Sequence, residues 1–417
     1  MKIKQVIGHE IFDSRGYPTI ECEITLEDGQ TVRASVPSGI SRGKYEAVEL
    51  RDGGSRLCGL GVSKAIEKLE TVIAPEIIDK EPNVVDMDLK MIEMDGTQNK
   101  EKLGANSTLA VSTAITKAQA ISSNIKTYEL IAQLCGLEQV SLPYPLCNII
   151  NGGLHADNNL QVQEIMISPI GFSTFREAFE AIIEIYHCLK KILRKQGKST
   201  LVGDEGGFAA NFEDETEALD LLMQAIEMGS KGNGNFVIAL DVAASHFYDH
   251  KTKTYQWHNR NLTAKDMIEL YDKLSRSYPI YSIEDGLSED DWEGWKLMMK
   301  KLGNRLQIVG DDLFATNPAR IAEGIEQHIA NTAIIKPTQI GTITETLQAV
   351  LLCKDYGLNT IVSHRSGETE DTFIVDFAVG TSSGQMKIGG CSRGERIAKY
   401  NQMLRIEDAL HLRLLNE

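Results

Sequence analysis

The sequence lacks the features that mark membrane and secreted proteins. It contains no run of about 20 apolar residues, the length that spans a bilayer. Residues 1–5 lack the apolar core of a secretory signal peptide. The 7 cysteines are odd in number and widely spaced, and no Cys-x-x-Cys pair occurs, which argues against a disulfide framework or a cysteine zinc site. We therefore expect a cytoplasmic protein with reduced thiols and no membrane span.

Basic residues are in short supply. The chain has 43 Lys and Arg against 59 Asp and Glu, a formal net charge of −16. Such an acidic surface repels phosphate backbones, so we expect no general nucleic-acid binding. It would repel an anionic small molecule as well. A site for such a substrate therefore needs local positive charge from a metal ion, Lys or Arg.

Glycine-rich nucleotide motifs are also missing. No Gly-x-Gly-x-x-Gly follows a first strand, and there is no Walker loop. The 417 residues exceed the roughly 250–300 at which a single core stops growing, whereas an α/β barrel takes about 250. We expect two domains, a smaller one over residues 1–138 and a larger one over 139–417.

The first domain is predicted to be a small α+β unit. Apolar residues alternate with polar ones over 20–26 and again over 32–36, which is typical of half-buried strands. Asp28-Gly29 between them favours a tight hairpin turn. Residues 103–124, rich in Ala, Ser and Leu, are predicted to be helical. Pro143 lies in the junction to the second domain.

Short apolar strands alternate with helical stretches through the second domain. Repeated strand–helix units predict a parallel sheet, either a closed barrel or a doubly wound sheet. The missing nucleotide motifs favour the barrel. The predicted fold is therefore α/β, with a C-terminal (βα)8 barrel and a smaller N-terminal α+β domain. Four strands end in charged residues: Asp241, Glu284, Asp311 and Lys336.

Those strand ends predict a metal site beside a lysine base. Strand ends converge at one mouth of a barrel, where Asp241, Glu284 and Asp311 would repel one another unless a cation held them. Carboxylates without His or Cys suit a hard ion such as Mg²⁺ or Mn²⁺. Lys336 beside such a site could remove a proton from a carbon next to a carboxylate. The alternative is that the acids cap helices and form a structural ion pair.

Motifs along nearly the whole chain resemble those of the enolase family. That superfamily is established to use a lysine or histidine base with magnesium. The matching strings include Phe12-Asp13-Ser14-Arg15-Gly16, Asn148-Ile149-Ile150-Asn151-Gly152-Gly153, Gln163-Glu164-Ile165-Met166, Val202-Gly203-Asp204-Glu205-Gly206-Gly207, Ser282-Ile283-Glu284-Asp285-Gly286, Gly310-Asp311-Asp312-Leu313 and Ser363-His364-Arg365-Ser366-Gly367-Glu368-Thr369-Glu370-Asp371.

The resemblance implies reversible dehydration of 2-phospho-D-glycerate to phosphoenolpyruvate with two Mg²⁺ ions, the second arriving with substrate. It implies homodimer pairing through the small domain, or a higher homo-oligomer. The roles it implies are as follows: Asp241, Glu284 and Asp311 for the first ion, Ser41 for the second, Lys336 as the base, Glu205 as the acid with Glu164 beside it, His155 closing over the substrate, Gln163 contacting it, Lys387 on its carboxylate, and Arg365 with Ser366 on its phosphate.

The chain departs from the family pattern beside the site. The substrate loop has Ile40 and Arg42 around Ser41 where the family has Ala and Thr, Thr338 replaces an amide, and Leu154 replaces a small or polar residue. We expect these changes to affect the turnover rate and the affinity for the second ion more than the type of reaction.

Two other functions are left open by the sequence. A racemase or cycloisomerase of the same superfamily would usually carry a lysine motif on an earlier barrel strand, whereas this chain has Glu164 and Glu205 there. A binding protein on the same scaffold, such as a surface adhesin or an RNA-processing partner, would have no need of the full metal and lysine set. Cell-surface display as a second role also remains open.

Overall fold

A computed structural model describes residues 1–39, 43–230 and 235–410. Ser41, the predicted ligand of the second ion, lies outside the described residues, as do its neighbours Ile40 and Arg42. No helix within the described ranges is long and apolar enough to cross a bilayer.

The N-terminal part contains an antiparallel sheet and a group of helices. The sheet has the order β1-β2-β3, and the alternating side chains of its middle strand, including Ile20, Cys22 and Ile24, are fully buried. The strands are β1 (Ile3–Phe12), β2 (Pro18–Leu26) and β3 (Thr31–Ser35), and the helices are α1 (Ser63–Lys68), α2 (Ala74–Ile77), α3 (Val84–Asp95), α4 (Ala105–Ser122) and α5 (Thr127–Leu134).

Helix α4 lies within the predicted helical stretch 103–124 and packs against β2 and β3. Most of its side chains are small and buried, so the helix can approach the sheet closely. Its hydroxyl groups bind neighbouring backbone: Thr108 Oγ1 donates to the carbonyl of Gly341 at 2.7 Å, and Ser112 Oγ accepts from the N–H of Ile343 at 2.9 Å. These bonds connect the N-terminal helices to the second half of the chain.

Eight strands close into a barrel in the order β10-β11-β12-β13-β14-β4-β5-β6. A small separate sheet follows β6. The barrel strands are β4 (Tyr144–Asn151), β5 (Glu164–Ile170), β6 (Asn235–Asp241), β10 (Ile280–Glu284), β11 (Gln307–Gly310), β12 (Thr332–Ile335), β13 (Asn359–Ser363) and β14 (Gln385–Lys387), and the small sheet has β7 (Tyr248–Asp249), β8 (Thr254–Trp257) and β9 (Arg260–Leu262).

One barrel strand runs against the others. Strand β5 pairs antiparallel with both β4 and β6, and no α-helix lies between β4 and β5, so the predicted strand–helix alternation fails there. The reversal sets Glu164, the first residue of β5, level with Asp241, the last residue of β6. A residue that begins a strand therefore lies at the mouth where the other strands end.

The remaining helices pack around the barrel, and a compact apolar layer fills its interior. Leu146, Met166 and Ile334 belong to that inner layer and are buried. The helices are α6 (Phe175–Lys195), α7 (Glu215–Ser230), α8 (Ala264–Ser277), α9 (Trp292–Leu302), α10 (Pro318–Gln327), α11 (Pro337–Ile340), α12 (Ile343–Asp355), α13 (Phe373–Gly380) and α14 (Gly394–Leu410).

Candidate active site

The carboxyl ends of the barrel strands bring the predicted residues to one mouth. Asp241 and Glu284 end β6 and β10, Asp311 and Lys336 follow β11 and β12, and Lys387 ends β14. The side chain of Lys336 is 13% exposed. The other four residues, Asp241, Glu284, Asp311 and Lys387, are buried. Parallel strands require this convergence, because their carboxyl ends share one edge of the barrel.

Lys387 lies among three buried carboxylates. Its Nζ is 2.7 Å from Glu284 Oε1, 2.9 Å from Asp241 Oδ2 and 3.1 Å from Glu164 Oε1. Burial by itself would lower the pKa of Lys387, but the carboxylates outweigh it and raise that pKa well above its ordinary value. A charged ammonium group therefore occupies the point where these acids converge.

Lys336 pairs with Asp311 in the same way. Its Nζ contacts Asp311 Oδ2, while Gln339 Nε2 donates to Asp311 Oδ1 at 3.0 Å. Burial lowers the pKa of Lys336, yet the Asp311 carboxylate outweighs it, so the net pKa is raised. The backbone N–H of Lys336 donates to Thr316 Oγ1 at 2.8 Å, which fixes the start of the side chain. In this arrangement Lys336 carries its proton.

On the other side of the mouth, the basic neighbours of Glu205 are histidines and not lysines. Glu205 Oε2 lies 3.5 Å from His155 Nδ1 and accepts from Asn148 Nδ2 at 3.2 Å, and its Oε1 lies 3.4 Å from His364 Nε2. Burial raises the pKa of Glu205, but the two histidines outweigh it and hold that pKa well below the usual range. Burial and the nearby Glu205 raise the pKa of Glu164 well above its usual range. The proton of this pair therefore resides on Glu164.

Arg365 reaches the mouth from the loop after β13. Its guanidinium group donates to Glu46 Oε2 at 2.8 Å and Oε1 at 3.3 Å, and to Thr338 Oγ1 at 3.2 Å. Glu46 belongs to the N-terminal part of the chain, so this buried pair joins that part to the barrel at the mouth. The adjacent Ser366 is also buried and lines the same cavity.

The mouth is a small cavity of about 40 Å³. That is room for a few water molecules only. Gln163 also lines it; its Nε2 is 3.4 Å from Asp241 Oδ2, and its Oε1 has no hydrogen-bond partner. Ten predicted residues line this one cavity: His155, Gln163, Glu164, Glu205, Asp241, Asp311, Lys336, Arg365, Ser366 and Lys387.

Several residues at the site were not among the sequence-based candidates. Arg396, fully buried on α14, donates to His364 Nδ1 at 2.7 Å and to the carbonyl of Arg365 at 2.8 Å, so it supports the loop that carries both. Nothing in the local sequence marks it. Asn148 lies in one of the recognised motifs, which could have identified it. His246 lines the cavity shortly after Asp241, and burial lowers its pKa, which favours a neutral ring.

None of the three acids caps a described α-helix, so that part of the alternative is wrong, but the ion pairs it proposed are present, Lys387 with Asp241 and Glu284 and Lys336 with Asp311. Side chains that cap the barrel helices are those of other residues, such as Thr263, Asp291 and Thr342. Lys336 precedes α11 without a side-chain bond to it.

The donor set fits a hard cation. Glu164 Oε2 and Glu284 Oε2 are buried acceptors without hydrogen-bond partners, and carboxylate oxygens are the ligands that magnesium prefers. Within the described ranges, two groups bring their ligand atoms within 4.8 Å of one another: His155, Glu164 and Glu205, and Asp285, Asp311 and Asp312. The predicted trio of Asp241, Glu284 and Asp311 is not one of these groups, because Lys387 holds the first two and Lys336 holds the third.

Asp285 organises the second acidic group. Its two carboxylate oxygens accept the backbone N–H groups of Asp311 and Asp312 at 2.9 Å each. Burial and Asp312 raise the pKa of Asp285 well above its usual range, and burial and Asp311 raise the pKa of Asp312 to about 8. Metal binding at such a cluster is coupled to proton release.

Family comparisons agree with this geometry. A model described as the enolase C-terminal TIM barrel domain matches residues 139–413, and one described as the enolase N-terminal domain matches residues 3–131. The two matches cover nearly the whole chain, and the closed eight-stranded barrel is the architecture that the first describes. Enolase domains together with an acidic cluster able to bind a metal support a lyase-type enzyme of the enolase superfamily. The chain belongs to the enolase family.

Proposed function

We propose that the protein catalyses the Mg²⁺-dependent, reversible dehydration of 2-phospho-D-glycerate to phosphoenolpyruvate, a step of glycolysis and gluconeogenesis. The observation that supports it best is the division of one mouth into two halves. Lys336 lies beside Asp311 on one side, and Glu164 and Glu205 lie 3.8 Å and 3.5 Å from His155 Nδ1 on the other. A dehydration needs a base and an acid of this kind on either side of the substrate.

The substrate is a small trianionic molecule, and three groups would bind it. Lys387 would bind its carboxylate, and the guanidinium of Arg365, with Ser366, its phosphate. Guanidinium groups bind phosphate in a bidentate manner, and Arg365 already pairs in this way with Glu46. The phosphate would therefore replace Glu46 as the partner of Arg365. Lys387 and Arg365 would supply the local positive charge that an acidic protein needs in order to bind an anionic substrate.

Lys336 would remove the proton from C2. It becomes a base only once Asp311 no longer pairs with it, since the neighbouring Arg365 and Lys387 then lower its pKa. Asp241, Glu284 and Asp311 would hold the first Mg²⁺, and Ser41 would be a ligand of the second. When bound, the ions supply the positive charge that stabilises the doubly negative carboxylate of the carbanion.

The C3 hydroxyl leaves as water with a proton from the carboxyl pair. We assign Glu205 as the acid, with Glu164 as the residue that stores the proton beforehand. His155 lies 3.5 Å and 3.8 Å from oxygens of the two carboxyl groups, so it is placed to pass or direct that proton. Gln163 holds the neighbouring Asp241 in place.

We also propose a cytoplasmic homodimer or higher homo-oligomer that pairs through the N-terminal domain. The exposed apolar side chains of Phe12 and Tyr17, 54% and 46% accessible on the β1–β2 hairpin, support such a contact. The free cysteines support a reducing compartment. Light scattering of the purified protein checks the association.

The test is a direct assay. Purified protein is mixed with 2-phosphoglycerate, and the ultraviolet absorbance of the new enol double bond is followed with Mg²⁺, with a chelator, and in a Lys336→Ala variant. We expect product that depends on Mg²⁺ and is lost in the variant, whereas the control Lys251→Ala on an exposed turn behaves as wild type. A folded protein that binds Mg²⁺ but gives no product would refute the proposal and direct the search to other 2-substituted carboxylates and to protein partners.

A further inference from the structure

Arg396, on helix α14, is a fully buried cation whose hydrogen bonds reach two loops that carry residues of the candidate active site. Its Nη1 donates to the carbonyl of Arg365 at 2.8 Å, and its Nη2 donates to the carbonyls of Ser366 at 2.5 Å and Asp204 at 3.2 Å. Asp204 directly precedes the proposed acid Glu205. One guanidinium group therefore joins the loop of the acid to the loop of the proposed phosphate-binding residues.

Gly389 leaves the space in which Arg396 meets these loops. A Cβ atom at this position would lie 2.7 Å from Arg396 Cδ, 2.9 Å from the carbonyl oxygen of Glu205 and 3.1 Å from His364 Cε1. The φ angle of Gly389, +86°, is also one that glycine adopts most readily. A side chain there would push the three groups apart, so the glycine permits Arg396, the acid loop and His364 to pack together.

The contact between Arg396 and His364 determines where the imidazole ring carries its proton. Arg396 Nη1 lies 2.7 Å from His364 Nδ1. A guanidinium group only donates, so Nδ1 must be the unprotonated, accepting nitrogen. Burial lowers the pKa of His364 to about 3, although Glu205 opposes that shift, so the ring is neutral and carries one proton. That proton is therefore on Nε2, which lies 3.4 Å from Glu205 Oε1 and is hydrogen-bonded to no other described residue.

We propose that Arg396 is a positioning residue that holds His364 as the Nε2–H tautomer, so that this N–H faces Glu205. The inference rests on the proposed function, in which Glu205 gives a proton to the leaving hydroxyl group. An N–H group binds a carboxylate more strongly than a carboxylic acid, because a charged acceptor forms the stronger hydrogen bond. His364 in this tautomer therefore favours the form of Glu205 that remains after proton transfer. The other tautomer would present a lone pair, which would hold the proton on Glu205.

The first experiment measures the tautomer without substrate. The full-length protein is labelled with nitrogen-15 in its 9 histidine rings, and long-range nitrogen–proton NMR correlations show which ring nitrogen carries the proton. The signal of His364 is assigned by its loss in His364→Gln. We expect the wild type to contain only the Nε2–H tautomer of His364. In Arg396→Met, which removes the donor to Nδ1, the other tautomer should appear.

Lys399 on the same helix provides a matched control. It is also a fully buried cation, and its Nζ donates to the carbonyls of Thr369 at 2.9 Å and Glu395 at 3.1 Å and pairs with Glu368 Oε2 at 2.8 Å. It thus binds the loop that carries His364 without a hydrogen bond to the ring. Lys399→Met should weaken the support of that loop and leave the tautomer of His364 unchanged.

Steady-state kinetics with 2-phosphoglycerate then test whether Arg396 acts through His364. Arg396→Met should lower kcat about 10–100-fold, a part of the roughly 10²–10⁴ that acid–base catalysis contributes. In the His364→Gln background, where no ring tautomer exists, the same change should lower kcat only about two- to threefold, because the two residues form one unit. Lys399→Met should act mainly on KM, since its partner Glu368 accepts the backbone N–H of Arg365 at 3.3 Å.

Three results would overturn the proposal: an Nδ1–H tautomer or a charged ring at His364 in the wild type, a tautomer that Lys399→Met changes as much as Arg396→Met does, or equal losses of kcat from Arg396→Met with and without His364. The wild-type spectrum needs no variant, so it decides the tautomer even if Arg396→Met does not fold. A protein that gives no product from 2-phosphoglycerate would refute the proposed function, whereas the spectra would still decide the link between Arg396 and His364.

Discussion

The two halves of the candidate active site both bury carboxylates, but they end with different proton distributions. On the lysine side, Asp311 is held by Lys336, and burial, which raises its pKa, is outweighed by that charge, so its pKa is lowered. On the histidine side, Glu205 is kept ionised by two imidazoles while Glu164 takes up a proton. The comparison teaches that burial alone does not set the state of an acid here. The balance of all neighbouring charges does: Lys336 lowers the pKa of Asp311, whereas the pKa of Glu284, 2.7 Å from Lys387 Nζ, stays well above its usual range because burial and Asp241 outweigh the lysine.

The largest expected effect comes from removing Lys387, the cation that contacts three carboxylates. Lys387→Met keeps most of the side-chain volume but leaves Glu164, Asp241 and Glu284 without their shared partner. Breaking a buried ion pair costs about 3–5 kcal/mol, so we expect a loss of that order in the free energy of unfolding without Mg²⁺. Urea denaturation measures it. Mg²⁺ should stabilise the variant more than the wild type, because no ammonium group competes for the acids. Equal stability of the two proteins without Mg²⁺ would contradict this account.

The next effect separates the two carboxyl groups on the histidine side. Glu164→Gln imitates the protonated group and should leave stability nearly unchanged, whereas Glu205→Gln removes the charge that His155 and His364 face and should lower it. Both variants should reduce kcat by about 10²–10⁴, the usual contribution of acid–base catalysis. Steady-state rates and thermal unfolding are measured together. If Glu164→Gln were the less stable variant, the assignment of the proton would be reversed.

A smaller effect is expected where Glu46 competes with the phosphate for Arg365. Glu46→Gln removes the carboxylate but keeps its shape, so the guanidinium group becomes available to substrate. We expect the KM for 2-phosphoglycerate to fall about tenfold, equivalent to about 1.4 kcal/mol. Glu326→Gln, at an exposed position on α10, is the matched control. A raised KM would indicate that Glu46 positions Arg365 for the substrate instead of competing with it.

The smallest effect concerns a buried acid that has no cation beside it. Burial raises the pKa of Asp88 to about 6, although it accepts the N–H of Thr344 at 2.8 Å. Because this folded-state pKa lies above the ordinary value of 3.8, Asp88 binds its proton more tightly in the folded protein, and its contribution to stability rises as pH falls from 7 to 5. The gain from this residue should be about 1 kcal/mol.

Asp88→Asn should remove that share of the pH dependence. Denaturation curves of both proteins at pH 5 and pH 7 give the difference directly, and Asp376, which has a similarly raised pKa of about 6, remains in both. Identical pH dependence in the two proteins would show that Asp88 is ionised in the folded state, and would break the contrast with the cation-paired acids.

Part of this site follows from the sequence alone. Parallel strands carry their last residues to one edge, so the positions of Asp241, Glu284, Asp311 and Lys336 are consequences of local strand order. The same reasoning could not place Glu164, which begins a strand. Its assignment rested on a motif, and the reversed direction of β5 is what carries it to the mouth.

The sequence by itself determined the barrel, the small domain and the identity of most candidate residues, because strand periodicity, strand ends and family motifs are local in the chain. The tertiary structure alone decided which charges meet. Glu46 and Arg365 are 319 positions apart, Asp241 and Lys387 are 146 apart, and no local pattern links them. Burial and charge compensation depend on distances that chain closure creates, and those distances set the proton distribution from which the chemistry is inferred.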